Sequence, residues 1–133
     1  MGCLGNDGGG VISAEKTIHL NSGNTLAVSH KAITDLLQSH PELSRFAVIS
    51  FNDEAAVGAV QAARDLGRSD MLAVVGQGGD QLGRTELDQA DSPLIGTTAY
   101  MPERYGEKLI EIATNILNGI SVPPAIYNEH VFL

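Results

Sequence analysis

Apolar and polar positions change period regularly along the chain. Lys16–Leu20 (KTIHL) is a short apolar stretch closed by Asn21-Ser22-Gly23, which predicts a strand. Asn24 or Thr25 can cap a helix running through Ser39, with Ala32, Ile33, Leu36 and Leu37 on one face and Pro41 stopping it. Phe46–Phe51 (FAVISF) is a continuous β-branched run, as in a strand covered on both faces. Asn52 or Asp53 then caps a helix, Glu54–Leu66, whose inner face is mostly alanine and which closes at Gly67. Met71–Gly76 reads as a strand, Gly76–Asp80 as a loop and Gln81–Asp88 as a short helix weakened by Gly83. Pro93–Tyr100 reads as a strand. Pro102 opens a long helix with Tyr105, Leu109, Ala113, Ile116 and Leu117 at helical spacing, ending at Asn118-Gly119. Ala125–Leu133 reads as a last strand.

Five strands alternating with four helices predict an α/β fold. The expected form is a three-layer α/β/α arrangement, with a mostly parallel sheet and helices on both faces. Tyr105 and the aliphatic stripe of the last helix read as core. Glu103, Arg104, Glu107 and Lys108 form its charged face, with Arg104 and Glu107 spaced to pair.

The 133 residues suit one domain, and the 43% hydrophobic content gives it a core. Residues 1–14 read as a flexible leader, with five glycines in the first ten, and residues 15–133 as the domain. The Met-Gly start suggests myristoylation, but Asn6 stands where that signal has Ser or Thr. The start shows no basic region and no apolar export stretch. A net charge of −8 with scattered basic residues argues against nucleic acid as a partner. One cysteine excludes a disulfide framework, and His19, His30, His40 and His130 form no pair at metal-ligand spacing. No metal and no cofactor is expected.

Open parallel sheets take ligands at the carboxyl ends of their strands. That edge offers Asn21 and Ser22, Asn52 and Asp53, Gln77 with Gly78 and Gly79, and Tyr100. Neutral amides and hydroxyls donate and accept at once, which suits a polyhydroxylated ligand. Asp53 also fits a helix cap. A phosphoacceptor role for Asp53 lacks its acidic cluster, since Leu20-Asn21 occupies that position. The Gly76–Asp80 loop lacks the Lys-Ser/Thr ending of a P-loop, although a small α/β enzyme could use it. No acid–base pair or nucleophile motif suggests catalysis.

Phe51–Gly79 resembles the type I periplasmic sugar-binding proteins of bacterial ABC transporters. The matching parts are Asn52-Asp53, Val57-Gly58-Ala59, Gly67 and Val75-Gly76. Leu94–Gly119 is also similar, with a strand, a polar residue, a Pro and a Tyr-Gly helix ending in Asn-Gly. The resemblance covers about Thr17–Leu133 and implies the carboxyl-terminal lobe of a two-lobed clamp, flavodoxin-like by itself. It implies that Asn52 contacts a monosaccharide-like ligand, with Gln77 able to substitute for the family's loop carboxylate and Tyr100 at its polar position after the fourth strand; Asp53 and Asn21 join the expected contacts by their place at the strand ends. Gly78 stands where the family's Gly-Phe-Asp-Gly loop carries its Asp. The resemblance further implies an amino-terminal lobe absent from this chain, an ABC permease as partner and a periplasmic or extracellular parent. The alternative is the effector lobe of a lac-repressor-like regulator. Gly67-Arg68-Ser69-Asp70 replaces the Val-Pro-x-Asp run of those proteins and favours the transport branch. In the family the helix after Tyr100 packs on the other lobe. Here it is expected to fold back on its own sheet or to dock on a second copy, making a homo-oligomer.

Overall fold

The computed structural model describes residues 12–133. Most of the expected leader therefore lies outside the described residues, and Ala14–Lys16 form one 3-10 turn. The elements are α1 (Leu26–Ser39), β1 (Phe46–Ile49), α2 (Asp53–Asp65), β2 (Leu72–Gly78), α3 (Gln81–Leu87), β3 (Leu94–Ala99), α4 (Tyr105–Leu117) and β4 (Val131–Phe132). The sheet order is β1-β2-β3-β4, the first three parallel and β4 antiparallel to β3. This is the α/β architecture with a mostly parallel sheet that the alternating periods predict.

Local chemistry accounts for the helix bounds. The Thr25 side chain accepts from the Val28 N–H, and Pro41 follows the last turn of α1. Asn52, in extended backbone, accepts from the Ala55 N–H and opens α2. Gly67 ends that helix at a φ of 64°, a conformation that favours glycine. Small residues let α1 and α2 touch. A Cβ at Gly58 would overlap the Leu26 carbonyl oxygen, and the buried Ser29 hydroxyl donates to the Ala55 carbonyl across 2.6 Å.

The core lies between this helix pair and one face of the sheet. Ile33 and Leu37 of α1 meet Ala59, Val60 and Ala63 of α2 over Val74 and Leu94. Arg68 ties the end of α1 to this body by donating to the Leu37 carbonyl at 3.0 Å and to the Leu43 carbonyl. Its guanidinium lies 5.8 Å from the centre of the Phe46 ring.

Three expectations are corrected. Lys16–Leu20 is exposed and forms no strand. Among the described residues the outer edge of β1 is unpaired, and Lys16–Leu20 does not add to it. The second correction follows from the first. Right-handed crossovers between strands in sequential order put every crossover helix on the same face; the other face is reached only where the order reverses. Helix α2 accordingly packs on β1, β2 and β3, and α3 packs beside it on β3. Among the described residues the opposite face carries no helix layer, and Ile49 and Ile95 stand 74% and 62% exposed on the sheet.

The third correction concerns α4. It buries no residue and does not fold back on the sheet, so its stripe is not core. Leu109, Ile110, Ile116 and Leu117 are all exposed. Lys108 pairs with Glu111 at 2.9 Å, rather than Arg104 with Glu107. The expected last strand shrinks to Val131–Phe132, with Leu133 exchanging backbone hydrogen bonds with Thr97 just beyond it.

Candidate functional site

Four of the five residues singled out from sequence form two hydrogen-bonded groups, Asn52 with the turn that carries Asn21 and Gln77 with Tyr100. The Asn52 amide donates to the Asn24 carbonyl at 2.8 Å while its oxygen caps α2 at 3.0 Å. That bond holds the Asn21–Asn24 turn against the edge. Within the turn, Asn21 Oδ1 accepts from the Gly23 N–H at 3.0 Å and the Ser22 hydroxyl accepts from the Asn24 N–H at 3.3 Å. On the next strands, Gln77 and Tyr100 meet directly. The Tyr100 hydroxyl donates to Gln77 Oε1 across 2.7 Å. The bond fixes which way the Gln77 amide points and turns its NH₂ group, a donor pair, outward.

Asp53 departs from this set. It is the first residue of α2 rather than its cap, and it is completely buried. Its carboxylate accepts from the Thr97 hydroxyl at 2.5 Å and from the Asp80 N–H at 2.8 Å. Three glycines make room for it. A Cβ at Gly76 would overlap Asp53 Oδ1, one at Gly83 would lie 2.6 Å from Asp53 Cγ, and one at Gly78 would lie 3.2 Å from Oδ2. Asp53 thus binds the start of α2 to the ends of β2 and β3 and to the start of α3. Its oxygens are not free for a ligand at the edge. The Gly76–Asp80 loop is correspondingly unsuited to phosphate, because the Asp80 N–H already faces a carboxylate.

Sequence reasoning missed Phe51. It directly precedes Asn52, follows β1 and is 71% exposed. An aromatic at the end of an apolar run looks like core. The signal was its alternation with Ile49, which puts both on the uncovered face. Beside Tyr100 a hollow of about 190 Å³ opens between Tyr105 and Tyr127, away from Asn52. Among the described residues no cluster of three His, Cys, Asp or Glu side chains is placed to hold a metal.

Comparison with known proteins identifies the family and the fold. The family described as "Periplasmic binding protein domain" matches residues 6–121. The ribose import binding protein of Escherichia coli (strain K12) is 38% identical over 88 residues, 66% of this chain and 28% of that protein. An ABC transporter solute-binding protein from Agrobacterium vitis, solved with bound allitol, superposes with a TM-score of 0.76 at 25% identity, over 83% of this chain and 38% of the other. A periplasmic solute-binding protein from Actinobacillus succinogenes, solved with D-allose, gives 0.74 at 22% identity, over 84% and 38%. The chain therefore spans little more than a quarter of the length of its curated relative. The match over most of the sequence, on a fold that places amides and a tyrosine at the strand ends, makes this chain a member of the periplasmic binding protein domain family.

Proposed function

We propose that this chain is a carbohydrate-binding lobe of an ABC sugar-transport solute-binding protein. The observation that carries the reading is the Gln77–Tyr100 pair where β2 and β3 end, with Asn52 following β1, an uncharged set of donors and acceptors. Such a set satisfies hydroxyl groups without forcing a charge out of water. Asn52, Gln77, Tyr100 and Asn21 are the polar contacts, and Asp53 holds their supporting loops in place. Capture proceeds by closure against a second lobe supplied by residues outside this chain, and the parent delivers its sugar to a permease from the periplasm. The role is binding rather than turnover. The curated relative is an import protein, which favours transport over a regulator's effector lobe.

The test is a titration of the isotope-labelled chain with D-ribose, D-allose and D-galactose, followed by amide NMR shifts. With half the clamp absent, the expected Kd is weaker than about 1 mM. The shifts should centre on Asn52, Gln77 and Tyr100 and vanish in Asn52→Ala. Silence at this edge with every sugar, at concentrations up to about a hundredfold above that bound, overturns the reading.

A further inference from the structure

We infer that Asn118 is a site of spontaneous covalent modification. The Gly119 backbone nitrogen attacks its carboxamide, ammonia leaves, and water converts the residue to aspartate and isoaspartate, which unwinds the end of α4. The site belongs to the helix that the sheet leaves uncovered and acts whatever ligand the strand ends take.

Seven asparagines stand in the sequence, and only Asn118 precedes a glycine. A side chain on the following residue crowds the approach of its nitrogen to the carboxamide. Glycine removes that obstacle and reaches the backbone angles the approach needs. The surroundings put no obstacle back. Asn118 and Gly119 are both exposed, and a Cβ at Gly119 would meet nothing within 4 Å beyond its chain neighbours.

The last turn of α4 is what holds the reacting atoms apart. The Gly119 N–H donates to the Ile116 carbonyl at 3.1 Å. The Asn118 N–H donates to the Thr114 carbonyl at 3.0 Å, and the Ile120 N–H to the Asn115 carbonyl at 2.8 Å. The Gly119 nitrogen must leave its bond before it attacks. Helix α4 buries no residue, and a short helix without packing opens readily in water. A cover over α4 would keep the turn closed and the carboxamide intact.

The chemistry needs only water. The Gly119 nitrogen loses its proton and bonds to Asn118 Cγ; the Cγ–Nδ2 bond breaks and ammonia carries the proton away. Water then opens the cyclic imide at either carbonyl. Opening at Cγ leaves aspartate; opening at the main-chain carbon leaves isoaspartate, with an extra methylene in the backbone. Either product adds a carboxylate at the negative end of the helix dipole, and the last turn of α4 carries no basic residue to offset it.

Asn21 is the internal control. It precedes Ser22, the smallest following residue after glycine. Its Oδ1 is held by the Gly23 N–H at 3.0 Å, and its turn by the Asn52 amide on the Asn24 carbonyl at 2.8 Å.

The test incubates the full chain at neutral and at mildly alkaline pH. Isoelectric focusing reads the added charge, peptide mapping its position, and enzymatic methylation the isoaspartate. Asn118 is expected to convert first, at least about tenfold faster than Asn21, and faster at the higher pH because the attacking nitrogen must be deprotonated. Ala113→Gly weakens α4 outside the reacting pair and should speed conversion about two- to fivefold. Asn118→Gln, at an exposed position, should suppress it. Conversion at Asn118 no faster than at Asn21, or a rate unmoved by Ala113→Gly, overturns the inference.

Discussion

Helices α2 and α4 are each thirteen residues long and meet opposite fates. Helix α2 is built largely from alanine and valine, and nine of its residues are buried. Helix α4 carries larger apolar side chains, yet none of its residues is buried. Hydrophobicity alone does not decide the difference. Helix α2 links two adjacent parallel strands, so its crossover lays it on the sheet. Helix α4 links two antiparallel neighbours that need no crossover, and the chain is free to carry it outward. Its leucines and isoleucines ask for a cover that this stretch of sequence does not provide.

Hydrogen exchange tests the comparison most strongly. Amides of α2 should open only with the whole fold, whereas a thirteen-residue helix without packing is marginal in water. The expected protection gap is about a thousandfold or more. Equal protection would show that α4 is covered in solution.

Matched truncations follow. Leu37 is 2% exposed, and Leu37→Ala should cost about 2–5 kcal/mol in denaturant unfolding. Leu117 is 87% exposed, and Leu117→Ala should stay within about 0.5 kcal/mol of wild type. A large loss at Leu117 would again reveal a partner surface.

A smaller effect probes the buried side of the edge. In an ordinary helix, exchanging glycine for alanine gains about 1 kcal/mol. Gly83→Ala in α3 should instead lose about 1–3 kcal/mol, because the added carbon meets the Asp53 carboxylate. A stabilised Gly83→Ala variant would show that Asp53 can move aside without penalty.

The smallest effect lies just past α1. A backbone hydrogen bond and then one from the His40 side chain, at 3.0 Å, hold the Glu42 carboxyl below its ordinary value. A depressed carboxylate contributes stability above its unfolded value and loses it as pH falls through the folded one. His40→Ala should therefore move the Glu42 midpoint upward in an NMR titration, with little change in the unfolding curve of this exposed site. An unmoved midpoint would remove His40 as a cause.

The contrast between α2 and α4 also marks what could be read from the residues. Alanine spacing, the Asn-Asp start and Gly67 specify α2 locally, and the β-branched runs specify β1 to β3, so those elements lie close to their expected bounds. Lys16–Leu20 looks just as strand-like, but pairing with an edge is a long-range event that its local pattern does not encode, and the free edge of β1 goes unused. The stripe of α4 shows that a face is apolar and not what lies against it. At the site, the positions of Asn52, Gln77 and Tyr100 were legible because the ends of β1 to β3 follow from the pattern, whereas Asn21 was placed by a strand that does not form. The role of Asp53 turned on a one-residue shift between cap and first turn. The exposure of Phe51 depended on which face of the sheet received helices, and only the strand order settles that.

The pairing of Ala99 with Val131 has a consequence for how the chain is divided. Strands β3 and β4 are the two arms of an antiparallel hairpin, and residues 100–130, α4 included, form one long insertion at its tip. A two-residue Asn-Gly link from Ala99 to Val131 would restore an ordinary tight hairpin and leave the helix-covered body continuous. Topologically, the segment with the uncovered stripe is a module inserted at the hairpin tip; Asn52 and Gln77 lie outside it, and Tyr100, its first residue, is what joins it to Gln77.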